Sequence, residues 1–341
     1  MARAAKMNRI GYSQFLLVSQ TNYTLTYFAE HAAEVSHDAI NRYLGKDKLT
    51  PALLWEHSSR EIPFSPEGYL IFDDTVLDKT DSKAIEITRW QYSSNEGKVV
   101  RGIGIVTCVY YNPEVKRYWA IDYRLYAPEQ DGHSKLKHVE EMLRSAIYSK
   151  QLAFRTVLMD TWYATHHLML FIHDCGKRFY SAIKSNRLVS RVDEYYQYSP
   201  VKDLQWPEAQ SEKGIQIHLK KSRKNFHLQL FRIVVSTHRT EYVVTNDDAQ
   251  LDATAVQKAY GFRWTIETLH RALKTVTGIE RCQCRKQRIQ RNHIACAFLV
   301  WARLKSIAYR TGQTIYQLKQ GLLRNYMIAQ LRSPSISMDS A

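Results

Sequence analysis

Tyr260, Arg263, Glu267 and Lys274 follow one another at spacings of three, four and seven residues. On an α-helix, at about 100° per residue, they share a stripe roughly 60° wide. Phe262, Ile266, Leu269, Leu273 and Val276 fall on the opposite side. The spacing therefore predicts an amphipathic helix with an apolar back. Its front is a single carboxylate set between cations and a phenol. One acid among phosphate-binding groups suits a metal ligand facing a phosphodiester. The same spacing also suits an ordinary i,i+4 ion pair between Arg263 and Glu267.

Two further acids follow short apolar runs. Tyr69-Leu70-Ile71-Phe72 reads as a strand leading into Asp73-Asp74-Thr75, and Thr156-Val157-Leu158-Met159 as a strand ending at Asp160. Acids at the ends of buried strands are costly unless they bind cations or pair with them. Asp73 and Asp74 alternate to opposite faces of a strand, so either could be the functional one. Neighbouring parallel strands would bring an Asp of the first pair to Asp160, and a helix packed across them could add Glu267. Clustered carboxylates repel one another unless a cation compensates, and hard oxygen donors select Mg²⁺ or Mn²⁺. Two such ions would activate a water or a 3′-hydroxyl and stabilise the leaving oxygen at phosphorus. Each Asp also has a plainer role available, as a strand-end turn residue or a helix cap.

The elements that must carry these groups can be read along the chain. Residues 1 to about 60 read as helical, with a helix His37–Leu44 capped by Ser36 and ended by Gly45. Asn41, Arg42 and Tyr43 on it fit a helix-turn-helix or a plain helical bundle. Pro63 and Pro66 mark a boundary. The first strand, Val99–Tyr111 with Gly102 and Gly104 for close approach, and Arg117–Tyr126 read as an antiparallel meander. A helix Lys135–Ser149, the strand before Asp160, a helix from about Tyr163 to Asp174 and a strand Phe179–Ile183 follow. The order β-β-β-α-β-α-β suits an α/β fold, a mixed sheet flanked by helices. Tyr195–Tyr198, Gly214–Leu219, Leu228–Ser236 and Glu241–Thr245 then alternate like antiparallel strands, with a basic turn over residues 220–224.

Charge narrows the partners. There are 48 Lys and Arg against 33 Asp and Glu, a net charge of +15, which favours a polyanion. No apolar run is long enough to span a bilayer and no signal peptide is evident, so a cytoplasmic protein that binds nucleic acid is expected. From Arg281 to Met338 there are 11 Lys and Arg and no acid. Five cysteines at irregular spacing fit reduced thiols. Cys282, Cys284, His293 and Cys296 could bind zinc, but their spacing fits no common finger. Ser, His and Asp occur without a nucleophile-elbow pattern, which excludes a hydrolase triad.

The four-residue spacing has a further meaning. Tyr260, Arg263, Glu267 and Lys274, with Trp264, Ile266 and His270 around them, resemble the Tyr-Arg-Glu-Lys signature of DDE transposases of bacterial insertion sequences, the insertion-sequence-4-like group. Asp74-Thr75 resembles the first Asp motif of that family, and Asp160 the second. The resemblance covers about Tyr69 to Val300. It implies a ribonuclease H-like mixed sheet with a β-rich insertion before the last acid. It implies two Mg²⁺ ions, for which Mn²⁺ may substitute, held by Asp74, Asp160 and Glu267. It also implies that Tyr260, Arg263 and Lys274 contact phosphates near the cleaved end, with Arg271 a further cation on that helix. In similar enzymes a Trp of the insertion stacks near an extruded base, and Trp206 is the candidate here, with core packing its plainer role.

The implied activity is cleavage of the element's ends and transfer of the freed 3′-hydroxyl to target DNA. The partners would be double-stranded DNA (transposon ends and target) and a second copy of the chain, a homodimer on DNA, in the nucleoid-associated cytoplasm of a bacterium with no membrane role. A nuclease of this fold that does not join strands, or an inactive DNA-binding relative, are the alternatives. The corresponding regions would be 1–62 helical and DNA-binding, 63–185 the first part of the core, 186–250 the β-rich insertion, 251–310 the rest of the core with the signature helix, and 311–341 a basic helical C-terminus and tail.

Overall fold

A computed structural model of the chain describes residues 7–32, 35–82, 84–94, 96–194, 197–207, 212–223, 225–236, 239–249 and 252–336. They divide into two compact units, one from Met1–Glu61, Val76–Ile103 and Leu269–Ala341, the other from Ile62–Thr75 and Gly104–Thr268.

The second unit is built on a mixed sheet. β1 (Tyr69–Asp78) begins in it and pairs in parallel with β5 (Thr156–Met159), which pairs in parallel with β6 (Arg178–Ile183). Parallel strands covered on both faces need continuous apolar runs. Accordingly, Leu70, Ile71, Phe72, Val157, Leu158 and Met159 are fully buried. β3 (Lys98–Asn112) neighbours β1 on its other side and pairs antiparallel with β4 (Arg117–Tyr126). The connection from β4 to β5 runs through α5 (Pro128–Asp131), α6 (Lys135–Arg144) and a wider helical turn over Ser145–Ser149. α7 (His166–Asp174) links β5 to β6.

The strands between Leu188 and Thr245 continue this sheet. β7 (Leu188–Arg191), β8 (Ser199–Pro200), β9 (Ile215–Leu219), β10 (His227–Ser236) and β11 (Arg239–Thr245) pair antiparallel, and β11 closes back on β6. The strand expected at Tyr195–Tyr198 falls partly outside the described residues.

The first strand and the signature stretch depart from expectation. β1 does not stop at the acids but runs on to Asp78, because Val76 and Leu77 are themselves buried. The signature stretch is two helices, α8 (Ala253–Gly261) and α9 (Trp264–Val276). At the junction the bonds tighten to i→i+3: Arg263 N–H to Tyr260 O at 3.0 Å and Ile266 N–H to Arg263 O at 3.1 Å. Gly261, a weak helix former, stands at that break.

The first unit is mainly helical. α1 (Arg9–Val18), α2 (Leu25–His31), α3 (His37–Lys46) and α4 (Pro51–Ser58) lie with α10 (Gln287–Thr311), α11 (Ile315–Gly321) and α12 (Arg324–Arg332). α10 packs on α1, α3 and α4 and buries Phe298 and Trp301. Ser36 caps α3 as expected, but the helix passes through Gly45 to Lys46. β2 (Arg89–Ser93) pairs with the start of β3 in this unit. There Gly102 allows the backbone of Leu77 to approach where a Cβ would collide. His293 is no zinc ligand: its ring nitrogens meet Tyr12 Oη at 2.8 Å and the Gly278 carbonyl at 3.0 Å.

Candidate active site

The register of β1 and β5 sets the first two acids side by side. Phe72 is paired with Met159; Asp73 is the next residue of β1, and Asp160 directly follows β5. Burial raises both carboxyls above the usual range. For Asp73 the neighbouring charges of Asp160 and Asp74 add to the rise, and Arg263 opposes it. Asp160 is anchored by the turn after its strand: Oδ1 accepts from the Trp162 N–H at 3.0 Å and the Tyr163 N–H at 3.2 Å.

Glu267 arrives from the first turn of α9. The junction ahead of it is pinned by Phe262, whose ring stacks on Tyr111 at 4.5 Å and meets Tyr69 edge-on at 5.2 Å. Arg263 lies between the acids, its guanidinium 2.7 Å from Glu267 Oε1 and 3.6 Å from Asp73 Oδ2. The i,i+4 ion pair is thus formed, and the same cation reaches the strand. Tyr260 is buried beneath Arg263, its ring centroid 5.6 Å from the guanidinium carbon. Burial pushes its phenol up to about 12, so it is a neutral hydroxyl.

Asp74 faces different groups. The Lys135 ammonium donates to Oδ2 at 2.5 Å and the Tyr163 hydroxyl to Oδ1 at 2.7 Å. Neither partner was apparent in the sequence, since a Lys in the first turn of a helix carries no spacing signal. Tyr163, three residues after Asp160, was legible only as the start of a helix.

The remaining expected residues lie elsewhere. The Lys274 ammonium donates to the Val76 carbonyl at 2.7 Å and pairs with Glu280 at 3.0 Å, so its charge is already matched. Arg271 is exposed on α9. Trp206 is half-buried in the loop after Val201–Asp203, and among the described residues its indole N–H has no hydrogen-bond partner. Beside the Asp160 turn a cleft of about 470 Å³ is lined by Thr161, Trp162, Thr165, Lys184, Arg187 and Lys220. Trp162 is half exposed.

The donor set is carboxylate oxygen alone, which fits a hard divalent cation. Burial raises the carboxyls of both Asp73 and Asp160, and at Asp73 the charges of Asp160 and Asp74 add to it. Residues 65–302 match the family model described as a transposase DDE domain. The chain belongs to this family. It is a transposase by family. No curated protein matches the sequence. Among solved structures, the piggyBac transposase synaptic complex with hairpin DNA is similar at 12% identity and a TM-score of 0.45, over 98% of this chain and 77% of that one. Among the described residues, no helix is long and apolar enough to cross a membrane.

Proposed function

We propose that this transposase belongs to the Tyr-Arg-Glu-Lys, insertion-sequence-4-like group. In this reading it cleaves the ends of an insertion sequence and joins the freed 3′-hydroxyls to target DNA. The observation that carries the reading is Arg263, paired with both Asp73 and Glu267, beside the strand end that bears Asp160. We assign the first acid of the DDE set to Asp73, because its carboxylate lies 3.6 Å from Arg263, the same guanidinium that pairs with Glu267. Asp74 is held by Lys135 and Tyr163 and orients the neighbouring backbone.

Asp73, Asp160 and Glu267 would hold two Mg²⁺, or Mn²⁺ in their place. When bound, such ions supply a Lewis acid for the attacked phosphate and lower the pKa of the attacking hydroxyl. Arg263 keeps Glu267 and Asp73 oriented and partly neutralised beforehand. The neutral Tyr260 hydroxyl can donate to a phosphate oxygen without adding charge. Lys184, Arg187 and Lys220 line the cleft next to Asp160 and can hold the DNA backbone there. The net charge of +15 supports double-stranded DNA, both transposon ends and target, as the partner. Two ends must be held at once, so the working form is a homodimer on DNA, at the nucleoid in the cytoplasm.

The test uses labelled DNA carrying the element's own terminal repeats, incubated with protein, Mg²⁺ and a target plasmid. Cleavage at the repeat boundary with products joined to the plasmid is expected. Glu267→Gln and Asp160→Asn should bind the ends and leave them uncut. Cut but never joined ends would establish a nuclease in place of a transposase.

A further inference from the structure

A second group of ligating side chains lies at the turn between α5 and α6. Asp131 ends α5, and Gly132 takes the left-handed conformation at φ 71°. Ser134 caps α6 by accepting from the Lys137 N–H at 3.1 Å. This tight reversal gathers Asp131, His133 and His138, which offer one ligand atom each, all within 4.8 Å of one another.

His138 is the telling member. It is 3% exposed, yet among the described residues neither ring nitrogen has a hydrogen-bond partner. Buried polar groups normally find one. Asp131 Oδ2 stands 3.6 Å from its Nε2, beyond hydrogen-bond reach. Asp131 Oδ1 accepts from the His133 N–H at 2.9 Å, which leaves Oδ2 turned toward His138. His133 Nδ1 lies 3.4 Å from Glu141 Oε2, the arrangement by which a carboxylate orients a ligating imidazole.

We propose that Asp131, His133 and His138 bind one transition-metal dication of the Zn²⁺ class, with Glu141 supporting His133. Two imidazoles and a carboxylate are a zinc donor set, whereas Mg²⁺ prefers oxygen alone. Ligand bonds of about 2.0–2.2 Å in a tetrahedral site place donor atoms roughly 3.4 Å apart. The group therefore has to close by about 1 Å, through rotation of Asp131 and His133, both accessible to solvent. The ligands bracket Lys135, whose ammonium meets Asp74. The ion would clamp the turn that delivers that ammonium, so the site acts structurally and apart from the acid cluster.

Full-length protein without an affinity tag, stripped by chelator, is dialysed against Zn²⁺ in excess Mg²⁺ and its bound metal measured by atomic emission. About one zinc per chain is expected, and Co²⁺ in its place should give the visible absorption of a four-coordinate nitrogen and oxygen site. Asp131→Ala and His133→Ala, which alter accessible side chains, should stay folded by circular dichroism and weaken zinc at least about tenfold. Asp160→Asn and Cys284→Ser should hold zinc as the parent does, which separates this site from the acid cluster and from the cysteines. Metal-free parent protein, or folded His133→Ala with undiminished zinc, would overturn the proposal.

Discussion

Lys135 donates to Asp74 at 2.5 Å, while the adjacent Asp73 is turned toward Arg263 at 3.6 Å. One peptide bond thus separates an acid that already has its cation and a hydroxyl from an acid crowded by other acids. The two should fail differently when neutralised. Asp74→Asn strands Lys135 in a site where both side chains are largely shielded, at a cost of about 1–3 kcal/mol. Thermal melting should show this loss, with cleavage of end DNA reduced in proportion to the folded fraction.

Asp73→Asn should do the reverse. An acid whose pKa in the folded chain lies above its ordinary value subtracts stability once the pH passes that ordinary value. Burial raises Asp73 in this way. In chelator at pH 7, Asp73→Asn should therefore melt no lower than the parent. Cleavage should fall by about two orders of magnitude or more, because a ligand is gone, while a gel shift still shows end binding. The opposite assignment, with Asp74→Asn well folded and inactive and Asp73→Asn active, would return the first ligand to Asp74.

Much of this was legible because buried parallel strands need unbroken apolar runs. Tyr69–Phe72 and Thr156–Met159 showed such runs, and each leads into acid. What escaped notice depends on contacts distant in sequence. Two adjacent acids look like the end of a strand, and only the burial of Val76 and Leu77 in the fold carries β1 past them. Helical spacing reads Tyr260 to Lys274 as one helix, yet the chain re-forms its bonds at Phe262 and Arg263. Lys135 reaches Asp74 across 61 residues, a relation no local pattern encodes.

Lys274 belongs to the signature by spacing, but its ammonium is engaged by the Val76 carbonyl and Glu280. Glu280 in turn accepts from the Asp78 N–H at 2.6 Å. Lys274→Ala should thus lower stability itself, by about 1–3 kcal/mol, before any effect on DNA. A double-mutant cycle with Glu280→Gln should return a coupling of about 0.5–3 kcal/mol by denaturant unfolding. Additive losses, together with weaker end binding by Lys274→Ala, would restore the phosphate-contact reading.

His293 gives the fold a pH limit. Its Nε2 faces the Gly278 carbonyl, so Nε2 carries the proton and Nδ1 accepts from the Tyr12 hydroxyl. A second proton at Nδ1 would reverse that bond, so that Tyr12 Oη accepts and its own proton loses this acceptor. Burial accordingly pushes the pKa down to about 4 from the usual 6.5. Between these values the unfolded chain binds more protons than the folded one, so stability is full above about pH 6.5 and falls as the pH drops toward 4. At pH 5 the loss from this residue alone is about 2 kcal/mol. Denaturant unfolding at pH 7 and pH 5 checks it, with His293→Gln as the reference. That variant should be less stable at pH 7 yet lose less between the two pH values. An equal loss in both proteins would mean that other groups set the acid limit.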